Sequence, residues 1–378
     1  MKTLTFLALS TSLTLAADIN LYPTLHFTGV AGETTADSFG TVGGHGHDPN
    51  DEFAVQGIDA GINLTVDNWF AAFANINVFT DSERELDAEL EEAFVKLHNL
   101  PGGFEIRAGQ FLNRIGLQNH IHLHGWDFVN SNLSTSQLLG EEGLFTEGVE
   151  VNWARHFNQS FIALTASYGK AAEHEEEEEE EGANEGTESA FFDHDLITAR
   201  ALFGYNQSDF HQHRLGLNGA WGDNGFGRSN SLHSIDYTYT WRENGLEPGG
   251  RSFSVGAEFY NRNVRFVNPI NSDNQGSTSQ NGYMVFAQYR FAEKWVAGFR
   301  YEHIQGREAG PEFDNGDIEF AFAPEERDRL SLALTHEFQH HDFDSYARLQ
   351  YSHDQTDEGN DDSIFFQLGF NYGAGEIR

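Results

Sequence analysis

Residues 294–305 read KWVAGFRYEHIQ, and their alternation decides the fold. Trp295, Ala297, Phe299 and Tyr301 fall on one side of an extended chain, while Gly298, Arg300 and Glu302 fall on the other. Successive side chains of a strand point to opposite faces, so this segment predicts a strand greasy on one face and wet on the other. In residues 327–339, Leu330, Leu332 and Leu334 are set against Arg329, Ser331 and Thr335. In residues 363–372, Phe366, Leu368, Phe370 and Tyr372 alternate with Gln367, Gly369 and Asn371.

Outward from these three, the pattern recurs in residues 19–30, 53–66, 69–79, 86–98, 103–112, 145–154, 160–170, 191–205, 210–221, 229–241, 251–265, 282–291 and 343–353. That makes sixteen segments, mostly of roughly 9–15 residues, long enough to cross a bilayer at a tilt and project beyond it. The gaps alternate. Even gaps are tight, as at Asp67-Asn68 and residues 99–102, 206–209, 292–293 and 340–342; odd gaps are long, apart from short ones near 80–85 and 222–228. With the N-terminus in the periplasm, the odd gaps are extracellular. The expected fold is all-β: a transmembrane, antiparallel, porin-like β-barrel of about sixteen strands, with aromatic residues near segment ends forming interfacial girdles. A soluble sandwich can also alternate, but it rarely needs so many long strands in one exported domain.

The chain opens MKTLTFLALSTSLTLAAD. Lys2, an apolar run and the small residues Ala16 and Ala17 predict a signal peptide over residues 1–17, leaving 18–378 as the barrel; the alternative is a short N-terminal core helix. Elsewhere no apolar run reaches about 18 residues, so no transmembrane helix is expected. Localisation at a Gram-negative outer membrane follows as the expectation.

The formal net charge is −37, from 59 acidic and 22 basic residues. Such a chain should repel nucleic acid and anionic lipid and attract cations, although a saline habitat also accounts for bulk acidity. There are no cysteines, so disulfides and thiolate metal sites are excluded and any metal must rely on imidazole and carboxylate. The 39 glycines, 33 phenylalanines and only 7 prolines suit half-greasy strands.

Three outer loops carry candidate chemistry. The third, residues 113–144, contains His120, His122 and His124 alternating with Ile121 and Leu123, with Asp127 following. In an extended chain this spacing puts three imidazoles on one side, a donor set suited to Zn²⁺, and also to Cu²⁺ or Ni²⁺. A long third loop folded into a barrel of this size would place them at its narrowest point. The alternative is a solvated loop whose histidines bond its own backbone. The first loop holds His45, His47 and Asp48 in a glycine-rich setting, too few ligands to close a site alone. The fourth, residues 171–190, holds Glu173, His174 and Glu175 at the head of an acid run. It is expected to be disordered, acting as a cation funnel or as a solvated tail that bridges Ca²⁺ to lipopolysaccharide. Lys96, Arg107, Arg290, Arg300, Arg329 and Arg348 take inward parity as a basic, pore-lining ladder. No nucleophile elbow, phosphate-binding glycine loop or H-E-x-x-H helix is present, and no enzyme activity is expected.

Residues 91–153 read EEAFVKLHNLPGGFEIRAGQFLNRIGLQNHIHLHGWDFVNSNLSTSQLLGEEGLFTEGVEVNW. The E-A-F strand, LPGG turn, AGQF strand, Gly116–x–x–Asn119–His120 loop, WDFV, LLGEEG and G-V-E-V-N-W strand resemble zinc-regulated, porin-like outer-membrane proteins or receptors of Gram-negative bacteria. The remainder is similar only to porin barrels in general, such as the phosphate-porin superfamily. The resemblance implies passage or capture of zinc at the outer membrane, with the family's histidine loop falling on Gly116, Asn119, His120, His122, His124, Trp126 and Asp127. No room for an N-terminal plug is expected before the first strand, so TonB-driven uptake is not implied. The acidic loops depart from the phosphate porins, whose basic interior captures anions.

The combined expectation is a porin that binds and passes divalent cations, zinc foremost, through its histidine- and acid-rich loops. It would sit among outer-membrane lipid and lipopolysaccharide, with homotrimerisation possible and no nucleic-acid partner. The alternatives are a general diffusion porin with weak cation preference, or a non-conducting structural or adhesive surface barrel.

Overall fold

The computed structural model describes residues 17–35, 53–80, 85–140, 143–172, 192–267, 275–305, 312–314, 317–319, 326–340, 343–356 and 359–373. The proposed signal peptide up to residue 16, and His45, His47, Asp48, Glu173, His174 and Glu175, lie outside the described residues.

Sixteen long antiparallel strands close into one barrel. In chain order they begin with β1 (Ile19–Thr34), β2 (Phe53–Val66), β3 (Phe70–Thr80), β4 (Leu86–Leu100) and β5 (Phe104–Leu112). After residues 113–144 come β6 (Phe145–Phe157), β7 (Ser160–Ala171), β8 (Phe192–Ser208), β9 (His211–Asn224), β10 (Arg228–Arg242), β11 (Ser252–Val267), β12 (Gln275–Ala292) and β13 (Trp295–Gln305). A small hairpin of β14 (Glu312–Asp314) and β15 (Asp317–Glu319) stands apart from the barrel. The wall resumes with β16 (Arg327–His340), β17 (Phe343–Thr356) and β18 (Gly359–Tyr372). Each strand pairs with its neighbour, and β18 closes on β1 from Leu25↔Tyr372 to Thr34↔Ser363. Closure removes both sheet edges, so the wall's ladder is complete around the barrel.

The strands outrun the hydrophobic alternation, chiefly at the long-loop end. β17 and β18 pair as far as Thr356↔Gly359, across what the alternation reads as the gap 354–362. β7 reaches Ala171, so the acidic loop starts one residue later than alternation predicts. Backbone pairing needs only a neighbouring strand, whereas alternation needs an apolar surrounding on one face.

The barrel is inverted relative to a water-soluble protein. Ile62, Val95, Leu217, Ile235, Leu332 and Phe366 are exposed on its outside, whereas Asn63, Asn75, Glu150, Ser331, Gln350 and Gln367 are buried inside. At the short-turn end, Trp69, Phe104, Phe157, Phe210, Phe291 and Trp295 form an exposed aromatic belt.

Two bulges re-aim side chains inward. Between β3 and β4 the pairing steps from Asn75↔Glu92 to Ile76↔Leu90, leaving Glu91 as the extra residue. Glu91 and Glu92 are therefore both buried, although adjacent strand residues ordinarily face opposite ways. Between β1 and β2 the pairing skips Gln56, which also turns inward.

Candidate functional site

The described residues of the third loop, 113–140 and 143–144, fold into the barrel interior. The base of this loop is closed by Asn113, whose backbone N–H donates to Leu144 O at 2.9 Å. Asn119 staples it from within: its Nδ2 donates to Asn113 O and its Oδ1 accepts from Leu144 N, both at 2.8 Å. A 3₁₀ turn (Leu123–Gly125) lies against β1 and β2. The short helix α1 (Leu133–Leu139), capped by Asn132 Oδ1 accepting from Thr135 N at 2.6 Å, lies against β11, β12 and β13.

An irregular loop in this position needs partners for its backbone polar groups, since unpaired buried ones are costly. The wall supplies them. Arg200 Nη1 donates to Gly116 O at 2.8 Å, and Glu258 Oε1 accepts from Leu117 N at 2.9 Å. Arg348 Nη2 donates to Trp126 O at 2.8 Å. Val129 is held from both sides, its N–H donating to Gln350 Oε1 at 2.8 Å and its O accepting from Gln56 Nε2 at 3.1 Å. Arg300 Nη1 donates to Asn130 O at 3.0 Å, and Glu302 Oε1 accepts from Leu133 N at 2.8 Å. These anchors sit on β2, β8, β11, β13 and β17, around most of the circumference.

Apolar packing reinforces them. Ile115, Leu133, Leu138, Leu139 and Leu144 of the loop form one buried cluster with Phe192, Leu196, Leu232, Tyr260 and Ile304 of the wall. Burying a leucine side chain fully is worth roughly 1.5–3 kcal/mol. Gly282 permits the close approach of α1, because a Cβ there would collide with Ser134 Oγ.

The six inward cations are engaged locally. Lys96 Nζ is 3.2 Å from Glu105, Arg107 Nε 2.8 Å from Glu150, and Arg329 Nε 2.9 Å from Asp354. Arg290 Nη2 donates to Glu337 at 2.7 Å, and Arg300 Nε is 2.9 Å from Glu302. Arg348, besides Trp126 O, donates to Gln367 Oε1 at 2.6 Å. Two of the six, Arg300 and Arg348, bond the loop backbone directly.

The loop histidines separate into groups. His122 and His124 come together, their ring centroids 5.9 Å apart. Asp59 of β2 completes a group of three whose ligand atoms all lie within 4.8 Å of one another. His124 Nδ1 is 2.9 Å from Asp59 Oδ2, and its ring stacks on His26 of β1 at 3.6 Å with 6° between planes. His26 Nδ1 in turn lies 3.0 Å from Asn371 Oδ1. His122 Nε2 is 3.2 Å from Glu92 and 3.6 Å from Glu91. Glu91 is held by Asn75 Nδ2 at 2.7 Å, and Glu92 by the Leu112 N–H at 2.8 Å. His120 and Asp127 are not members of this group, and Asp127 is exposed. The extended chain that would align all three imidazoles is replaced here by turns and a 3₁₀ segment.

Alternation in the loop does not point to Asp59, His26, Glu91 or Glu92, because they belong to the wall. One signal for the glutamates is present in the sequence: outward Leu86 and Leu90 are even-numbered, whereas outward Val95 is odd-numbered. That phase slip brackets Glu91-Glu92. The donor set of two imidazoles and a carboxylate suits Zn²⁺. Ligand atoms about 3.4 Å apart are expected around tetrahedral zinc, so binding one would draw some of these atoms together and part the His124–Asp59 pair, now 2.9 Å apart.

No family model matches the chain. An uncharacterized protein of Aquifex aeolicus (strain VF5) is 34% identical over 114 residues, a match spanning 29% of this chain and 23% of that relative's length. Solved structures are similar across nearly the whole length. The outer membrane channel DcaP of Acinetobacter baumannii matches with a TM-score of 0.54 at 11% identity, over 94% of this chain and 97% of its own. The anion-selective porin from Comamonas acidovorans matches at 0.53 and 11%, over 95% and 100%. OmpT, an outer membrane protein of Vibrio cholerae in its trimer form, matches at 0.51 and 12%, over 95% and 99%. At these identities, what this chain shares with all three is the fold: a closed β-barrel of the outer-membrane, porin-like kind.

Proposed function

We propose that this chain is an outer-membrane channel of a Gram-negative cell that gathers and passes divalent cations, zinc foremost. The observation that carries the reading is the inward loop, which brings His122 and His124 beside Asp59 inside a barrel with an apolar exterior. A wall of exposed leucine, valine and phenylalanine is stable in lipid, and a strand barrel leaves no backbone group unpaired there. The outer-membrane origin of the structurally similar proteins supports the localisation, and the trimer form of OmpT supports a homotrimer. The signal peptide over residues 1–17 belongs to the same proposal.

In this reading the acidic loops around Glu173, His174 and Glu175, and around His45, His47 and Asp48, raise the local concentration of cations and contact lipopolysaccharide through Ca²⁺. The His122–His124–Asp59 group then selects. Conduction requires sites that bind weakly enough to release. Zinc entry into dye-loaded proteoliposomes tests this. Entry that falls in a His122→Ala/His124→Ala variant supports the reading; entry no faster than into empty vesicles contradicts it.

A second reading, a barrel closed at rest, is favoured by one observation: the apolar cluster of Ile115, Leu133, Leu138, Leu139 and Leu144 packs against the wall as a protein core does. It predicts no conductance in planar bilayers until the loop is released.

A further inference from the structure

The metal-ligating group belongs to two separate pieces of the molecule. Asp59 stands on β2, part of the rigid wall, whereas His122 and His124 stand on the inward loop. We infer that a divalent cation bridges Asp59 to His122 and His124 and fastens the loop to the wall, so that metal occupancy sets how tightly the loop is held. The inference deepens the proposed function and rests on its divalent-cation chemistry, but it needs no ion flow.

Three features carry it. First, the ligand atoms are already gathered: those of Asp59, His122 and His124 lie within 4.8 Å of one another, and a cation among them exchanges the 2.9 Å His124–Asp59 hydrogen bond for coordinate bonds. Second, the rings are held in place. His124 stacks face to face on His26, and His122 lies 6.4 Å from the ring of Phe73. Ligands oriented by their neighbours bind metal more tightly than free ones. Third, the surroundings are strongly acidic. The carboxylates of Asp59, Glu91 and Glu92 are all buried, and those of Asp59 and Glu91 lie close enough to repel each other. The Arg107 guanidinium lies 3.8 Å from Glu92 and is already bonded to Glu150. Buried carboxylates this close are stabilised by a shared proton or by a cation, and a dication with two imidazole ligands provides the latter.

Elsewhere the loop is held by permanent anchors: arginine, glutamate and glutamine side chains bonded to its backbone. In the stretch from Ile121 to Trp126, Arg348 bonds the Trp126 carbonyl, and the side chains of His122 and His124 reach the wall themselves.

The test uses the full-length barrel refolded in detergent, with ZnCl₂ as the probe and heat-modifiable mobility confirming that each variant is folded. Zinc calorimetry is run on the native chain and on Asp59→Asn, His124→Gln and His120→Ala, and amide exchange of residues 113–144 is followed with zinc and with EDTA. The expected result is a loss of affinity of about tenfold or more in Asp59→Asn and His124→Gln. His120→Ala should bind as the native chain does, and zinc should slow exchange around residues 121–126 in the native chain but not in Asp59→Asn. Equal affinity in the native chain and both group variants overturns the bridge, as does zinc binding that leaves loop exchange unchanged. If Asp59→Asn fails to fold, His124→Gln decides alone. A barrel that binds zinc in this way yet admits none to vesicles keeps the bridge and removes the transport reading. A zinc-passing barrel indifferent to Asp59→Asn does the reverse.

Discussion

Glu302 and Leu133 join the barrel wall to the inward loop: Glu302 Oε1 accepts from the Leu133 backbone N–H at 2.8 Å, while Oε2 lies 2.9 Å from Arg300 Nε. One buried carboxylate thus completes an ion pair on β13 and satisfies the first turn of α1. Replacing Glu302 by Ala leaves the buried Arg300 guanidinium without its counter-charge, a loss of about 3–5 kcal/mol for such pairs. The expected outcome is faster amide exchange in residues 113–144 and larger, noisier conductance, with strand content unchanged by circular dichroism. Glu302→Gln keeps an acceptor and should show the smaller effect.

Gly116 turns the loop at φ 65°, and a Cβ there would collide with the Tyr260 hydroxyl and the Glu258 carboxylate. Gly116→Ala combines a conformation that L residues avoid with a collision against two buried groups. The substitution should displace residues 116–117 from the wall and break the Leu117 N–H to Glu258 bond of 2.9 Å. Loop exchange should accelerate, and thermal unfolding should begin earlier than in the native chain.

Deleting Glu91 tests the bulge. The pairings on either side, Asn75↔Glu92 and Ile76↔Leu90, then become consecutive and the ladder turns regular. The barrel should still fold, as judged by heat-modifiable mobility. Asn75 should lose the 2.7 Å bond to Glu91, and His122 should lose its 3.6 Å contact with Glu91 while keeping Glu92 at 3.2 Å. Zinc affinity measured by calorimetry should fall through the lost negative charge, and by less than on removing Asp59.

At the short-turn end, Arg251 grips Glu243 with Nη2 at 2.7 Å, Nε at 3.1 Å and its backbone N–H at 2.9 Å. These bonds hold the Glu243 carboxyl down to about 2, from an ordinary 4.5. A carboxyl lowered on folding stabilises the turn above its unfolded pKa, and that contribution is lost as pH falls. The window here runs from about 4.5 down to about 2. In a carboxyl-carbon NMR titration Glu243 should titrate in the native chain near the lower bound. In Arg251→Ala it should return to the usual range, about 4.3.

Much of this architecture is legible in the sequence, for a definite physical reason. Phe299 must meet lipid-like surroundings and Arg300 must not, so alternation marks wall strands wherever both conditions hold. Where only backbone pairing operates, as at residues 354–356 and 359–362, alternation is silent and the strand ends are missed. The candidate site is legible in half. His122 and His124 stand out by spacing, but Asp59 meets them across 63 and 65 residues of chain through loop folding, which no local pattern encodes. Glu91 faces inward because of a bulge, visible only as the change of phase between Leu90 and Val95. The inward arginines read as a charged ladder by parity; their pairing with loop carbonyls and wall carboxylates depends on where the loop lies.

Reversal potentials in planar bilayers under a ZnCl₂ gradient test the central claim most directly. The account predicts a potential of the sign set by cation passage, moving toward zero in His122→Ala/His124→Ala. A potential of the opposite sign, or one indifferent to both substitutions, would contradict it.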